Sequence, residues 1–284
     1  MHLEITSTAN ARVKQLVALR RRRLRGRSDT TLVEGFEELS LAVRAGVRPL
    51  TLYYCPALVR PAELALVEQV ADAGAEIVRL SRTVFDRVAY RESPDGWLAV
   101  VPAVPDDLAA LDPGPRPLLL VCEGVEKPGN LGAMLRTADA AGVAAVIAAG
   151  PVTDWGNPNL IRASKGTVFS VPVASAGVDE VLAWLAGAAV TVVATTPDTP
   201  ALLSDIDLTG PVAIAVGTEK YGLSDQFLAA ATVRARIPMF GRADSLNVAT
   251  AAAIATYEAV RQRMAASGGA GAAPGPVARR WPHR

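Results

Sequence analysis

Histidine is nearly missing from this chain of 284 residues: His2 and His283, one near each end, are the only two. A Ser-His-Asp or Cys-His nucleophile system, or a metal held by imidazoles, has no credible supplier. Cysteine is equally scarce. Cys55 and Cys122 match no zinc-ligand spacing, no redox pair and no secreted disulfide framework, which points to a reducing compartment. The opening MHLEITSTANARVKQ lacks the charged-then-apolar pattern of a signal peptide, and no apolar run reaches the roughly 18 residues that would suggest a membrane span. The expectation is a cytoplasmic protein with no membrane and no metal. A P-loop and a G-x-G-x-x-G between strand and helix are also absent, which argues against an ordinary dinucleotide site. Chemistry is left to carboxylates, amides, hydroxyls, Arg and Lys, or a cofactor.

Half of the residues are hydrophobic and the mean hydropathy is +0.25, ample for a packed core. At roughly 100–200 residues per domain, two domains are expected. The formal net charge of +1 conceals segregation. Residues 1–30 carry eight basic and two acidic side chains, and residues 261–284 carry five arginines and no acid. The body between them has a net charge of −10. A solvated, arginine-rich composition accounts for the C-terminal end as readily as a nucleic-acid partner does, and for the N-terminal cluster less readily; arginine outnumbers lysine 25 to 4 throughout.

Residues 10–25 (NARVKQLVALRRRRLR) read as one helix with an Asn N-cap, an apolar stripe and a crowd of arginines. Strands and helices then alternate through residue 101, which predicts a first α/β domain over 1–101. Five prolines between Pro102 and Pro117 predict a linker over 102–116. From 117 the strands become continuous apolar runs (LLLVCEG, AAVIAAG, VTVVAT, VAIAVG), as suits a parallel sheet buried on both faces. Helices are expected near 130–141, 158–164, 178–187 and 224–231, then a long Ala-rich one. The second domain is set at 117–263 and a disordered basic tail at 264–284.

Three loops follow strands of that second domain, where open α/β sheets bind ligands. They are 118-LLLVCEGVEKPGNLGAMLRTADAAG-142, 212-VAIAVGTEKYGLSD-225 and 236-RIPMFGRADSLNVATAAAIA-255. In this order and spacing they resemble the motifs of the SpoU (TrmH-type) branch of the SPOUT RNA methyltransferases. The stretch TTLVEGFEELSLA is similar to the small L30e-like RNA-binding domain many members carry. The resemblance implies an S-adenosylmethionine-dependent 2′-O-ribose methyltransferase, a C-terminal α/β SPOUT domain with a parallel sheet and a deep trefoil knot, and a homodimer. It assigns catalytic weight to Asn130, Arg136, Glu219, Ser245 and Asn247. To the cofactor it assigns Gly217, Gly222, Ile237, Met239 and Leu246, with Thr195 added from the end of its strand.

Each assignment has a plainer alternative. Gly217 and Gly222 could serve turn chemistry alone. Glu219 could simply pair with Lys220 or an arginine, Ile237 and Met239 could be strand-end packing, and Ser245 or Asn247 could be an N-cap whatever the function. Arg136 follows Asn130 by about a helical turn, so both are expected at the same helix start. As a phosphate clamp or alkoxide stabiliser it needs no change of protonation, whereas a general-base role would require strong desolvation. Arg12, Arg21, Arg22, Arg23, Arg25, Lys127, Arg162 and Lys165 are expected to contact RNA. The extra N-terminal domain and arginine-rich composition resemble the antibiotic-resistance group that modifies 23S rRNA, nearer the avilamycin than the thiostrepton type. A tRNA 2′-O-ribose methyltransferase and a catalytically silent RNA-binding assembly factor are the alternatives.

Overall fold

The computed structural model describes residues 3–268. The glycine-rich part of the tail and both histidines lie outside them. The chain divides into two units: residues 3–104 with 154–170, and residues 105–153 with 171–268.

The first unit runs β1 (Leu3–Ile5), α1 (Ala11–Ala18), α2 (Arg22–Ser28), β2 (Thr30–Glu34), α3 (Phe36–Arg44), β3 (Thr51–Tyr54), α4 (Ala65–Asp72), β4 (Glu76–Leu80), α5 (Arg82–Val88) and β5 (Trp97–Pro102). Its sheet has the order β1-β4-β3-β5-β2; β5 is antiparallel to both neighbours and the other pairs are parallel. Ile5, Val13, Leu16, Leu32, Val78, Leu80, Phe85 and Leu98 form its apolar core.

The helix expected over 10–25 is two helices. Asn10 caps α1 as anticipated, accepting from Arg12 N at 2.9 Å. The chain then turns through Arg21, whose φ of −87° and ψ of 127° are extended. The break frees the carbonyls of Leu19 and Arg20, and the Arg25 guanidinium donates to both, at 3.1 and 2.8 Å. Arg20 meanwhile lies 4.6 Å from the Tyr90 ring centroid and donates to Ala89 O at the end of α5. Tertiary partners for these two guanidiniums thus outweigh helix propensity.

The second unit has β6 (Leu118–Glu123), α6 (Pro128–Ala141) and β7 (Ala145–Ala149); α7 (Pro158–Ala163) falls in the stretch that completes the first unit. It continues with β8 (Val173–Ala176), α8 (Val178–Gly187), β9 (Thr191–Thr195), β10 (Val212–Val216), α9 (Asp225–Ala230), β11 (Val233–Ala235) and α10 (Val248–Ala266). The sheet order is β11-β9-β10-β6-β7-β8, parallel throughout. Every residue of β6, β7 and β10 is buried, as continuous apolar strands covered on both faces require. Leu119 and Val121 join the core cluster of Val181, Leu185 and Phe227 from α8 and α9. Cys122, on the opposite face, meets Met134 of α6. The strand order reverses between β6 and β10, so their carboxyl ends open the crevice where such sheets take ligands.

Two boundaries differ from expectation. Residues 154–170 group with the first unit: Thr31 Oγ1 donates to Gly156 O, and a Cβ on Gly166 would lie 3.1 Å from Glu38 O. Helix α10 continues to Ala266, into the segment read as tail.

Candidate functional site

Loop 217–222 follows β10 as a tight hairpin. Thr218 and Gly222 exchange backbone hydrogen bonds of 2.9 and 3.0 Å, and the tip is Glu219-Lys220-Tyr221. Glycine is demanded at both ends. A Cβ on Gly217 would collide with the Gly222 backbone, and Gly222 has φ +69°. The buried carboxylate of Glu123 at the end of β6 accepts from Ser224 N at 2.7 Å and Ser224 Oγ at 2.6 Å. It thereby fixes the exit of the hairpin and the N-terminus of α9. Neither residue was singled out from the sequence, although both lie inside the quoted motifs.

Glu219 is the hub of a polar cluster. Its carboxylate pairs with Lys127 and accepts from Asn130 Nδ2 at 2.6 Å and Asn247 Nδ2 at 3.1 Å. Lys127 first, then Asn130, hold Glu219 below the ordinary carboxylate range, so it is ionised at neutral pH. Asn247 also caps α10: its Oδ1 accepts from Ala249 N at 2.9 Å and Thr250 N at 3.4 Å, which leaves its Nδ2 facing Glu219 and Asn130. Cap and cluster are one arrangement.

A cleft of about 490 Å³ opens at the carboxyl ends of β9, β10 and β11. That size suits a small-molecule ligand. Thr195, Gly217, Gly222, Ile237, Met239 and Leu246 all line it, together with Glu219 and Ser245. Thr195 Oγ1 donates to Ala215 O at 2.8 Å, so the hydroxyl proton is already used within the sheet. Asn130, Asn247 and Arg136 are not among the lining residues.

Arg136 requires a correction. It lies in α6 six residues after Asn130, which at 3.6 residues per turn places the two about 120° apart around the axis. It does not share the face of Asn130, and it is exposed with no hydrogen-bond or ion-pair partner among the described residues.

The basic residues separate into three groups. Arg25 is 4% exposed, with a bidentate bond to Asp154 at 3.1 and 2.6 Å beside its two carbonyl contacts. It is structural and leaves the RNA-contact set. Lys127 belongs to the Glu219 cluster, Arg12 pairs with Glu76 at 2.7 Å and Lys165 with Glu37 at 3.6 Å. Arg21, Arg22, Arg23 and Arg162 are exposed, although Arg22 Nε lies 3.9 Å from Asp154. Burial pushes the Cys122 thiol up to about 12, which removes it as a nucleophile. Among the described residues no helix is long and apolar enough to cross a membrane, and no group of three His, Cys, Asp or Glu side chains is placed to hold a metal.

A model of the SpoU rRNA Methylase family matches residues 117–257, the region that carries the cleft and the cluster, and one of the MRM3-like substrate binding domain matches residues 10–99. The 23S rRNA (uridine(2479)-2′-O)-methyltransferase of Streptomyces viridochromogenes is 34% identical, over 91% of this chain and 92% of that protein. The chain belongs to the SpoU rRNA methylase family. Among solved structures, an RNA 2′-O ribose methyltransferase is 42% identical, with a TM-score of 0.81 over 92% of this chain and all of that one. The SpoU methyltransferase AviRb from Streptomyces viridochromogenes in complex with the cofactor AdoMet is 32% identical, with a TM-score of 0.83 over 90% and 98% of the two chains. In this SpoU methylase the MRM3-like match falls within the first unit, and the methylase match spans the second unit's sheet together with the 154–170 stretch.

Proposed function

We propose that this SpoU methylase is an S-adenosylmethionine-dependent 2′-O-ribose methyltransferase of 23S rRNA, acting as a cytoplasmic homodimer with a trefoil-knotted C-terminal domain. The observation that carries the reading is the cleft itself: all six residues assigned to the cofactor line one cavity. Its chemistry fits that molecule. Ile237, Met239 and Leu246 offer apolar surface for an adenine, and Asp198, Glu219, Asp225 and Asp244 against the single ammonium of Lys220 suit a cationic sulfonium. When bound, S-adenosylmethionine supplies a methyl group already activated for transfer.

The chain's own task is to bring a ribose hydroxyl in line and stabilise the oxyanion it becomes. Asn130, Glu219 and Asn247 hold the hairpin and the start of α10 in register beside the cleft. Arg136, exposed and unpaired, is the clamp or alkoxide stabiliser. That it lies off the cleft wall favours completion of the site by a second copy. Ile254, Tyr257 and Met264, exposed at helical spacing along α10, give such a copy an apolar stripe to cover.

The Streptomyces relative named for uridine 2479 of 23S rRNA favours that RNA over tRNA, and the antibiotic-resistance resemblance gives the modification a biological sense: protection from a ribosome-targeting drug. Tritiated methyl transfer onto 23S rRNA, 16S rRNA and tRNA, followed by mapping of the labelled ribose, tests the reading. Label in 23S rRNA is expected. Label in tRNA alone would move the substrate, and none despite cofactor binding would leave a silent RNA-binding protein.

A further inference from the structure

The two most exposed large apolar side chains among the described residues are Phe240, 96% exposed, and Tyr221, 77% exposed. Both sit in the cleft loops, and Tyr221 lines the cleft itself at the tip of the 218–222 hairpin. The Lys220 ammonium lies over the Tyr221 ring, 4.7 Å from its centroid. A cation over one face favours a defined orientation of the ring.

These surroundings are unlike the core of a protein interface, where charged side chains are depleted. Glu219, Lys220, Asp225 and Asp244 share the cleft lining with Tyr221. An aromatic face next to an ammonium suits single-stranded RNA: a base stacks on the ring and its phosphate meets the cation. There is also a need for such a platform. A target nucleotide presented in a single-stranded loop has a splayed, unstacked base, and stacking on protein offsets the cost of holding it so.

We infer that Tyr221 is the stacking platform for the base of the nucleotide whose ribose is methylated, with Lys220 against its phosphate. This rests on the methyltransferase reading above. Stacking tolerates any base, so Tyr221 governs affinity and geometry while base identity is read elsewhere. It is a positioning residue.

The test is steady-state methylation of 23S rRNA by the full chain, with S-adenosylmethionine affinity by calorimetry and mass by sedimentation. Tyr221→Ala raises KM for rRNA about tenfold or more. Cofactor affinity and mass stay unchanged. Tyr221→Phe recovers most of the loss, whereas Tyr221→Leu, apolar but without a ring, does not. The exposed ring leaves the fold unaffected by any of these changes. An unchanged KM in Tyr221→Ala, equal performance of Leu and Phe, a matching loss of cofactor affinity, or a drop in mass would each overturn the assignment. If the unaltered chain methylates no RNA, the methyltransferase reading falls and takes this inference with it; a flat Tyr221 series in an active enzyme removes the inference alone.

Discussion

In the first unit, charged side chains are buried and answered within the fold: Arg25 against Asp154, Arg91 against Glu38, Glu34 beneath the amides of Tyr90 and Arg91, and Glu63 against the Trp97 indole. In the second, Glu123 is the only charged residue buried among the described residues, and the charged groups lining the cleft gather in loops and at the start of α9, past the carboxyl ends of apolar strands. Buried charges are tolerated only when paired and hydrogen-bonded, so those of the first unit fix its shape and are withdrawn from other roles. Arg25 and Arg136 make the contrast within one residue type. A guanidinium count from sequence measures charge; only the fold tells which guanidiniums can meet a substrate.

Arg136→Ala is the strongest way to break that contrast. If an unpaired arginine is the one that works on the substrate, its loss lowers kcat by about 10²–10³-fold, the usual cost of removing one oxyanion-stabilising group. The melting temperature should not move. Wild-type turnover in tritium transfer would refute the role, and a large loss of stability would place Arg136 with Arg25 instead.

The converse pair is next in size. Arg25→Ala leaves Asp154 and the Leu19 and Arg20 carbonyls without their donor. With Asp154 still 27% exposed, the expected cost is about 2–3 kcal/mol, at or below the low end for breaking a buried pair. Urea unfolding measures it, and RNA affinity per folded molecule should be unaltered. Replacing Arg21, Arg22 and Arg23 together by Ala should do the opposite. Stability stays within about 0.5 kcal/mol per site. RNA affinity falls, and the slope of log K against log salt shrinks by about 2–3. Filter binding at several salt concentrations decides it; an unchanged slope would remove the arginine cluster from the RNA interface.

The strands of the second unit were legible because an apolar run buried on both faces carries its own signature. Short β8 and β11 carry none: VASA and VRA are stabilised by register with β7 and β9 rather than by composition. The cleft loops were legible as motifs, and the cap at Asn247 from local chemistry. Other features depend on partners far away in sequence. The kink after α1 exists because Tyr90 and Asp154 await Arg20 and Arg25; residues 154–170 join the first unit through Thr31 and Glu38; Glu123 reaches Ser224 across 101 residues. Arg136 was misplaced by too loose a count of helical turns.

The smallest expected effect sharpens the comparison at the cleft. Glu219 is held below the ordinary carboxylate value of roughly 4.3 by Lys127 first and Asn130 second. A carboxylate lowered on folding contributes stability above its unfolded pKa and loses it as pH falls through the folded pKa. The cluster should therefore persist through the pH at which a free glutamate protonates and come apart only below it. Glu219 is exposed, so the consequence is local and global stability should hardly register it. Lys127→Met removes the larger cause and should return the Glu219 titration, followed by carboxyl-carbon NMR, toward the ordinary range; the Asn130 side-chain amide signals should shift at the same new pH. A titration indifferent to Lys127 would refute its place as the larger cause and leave the Asn130 and Asn247 amides to hold the carboxylate. The exposed cluster would then be ordered as the buried carboxylates of the first unit are, by hydrogen bonds rather than by an ion pair.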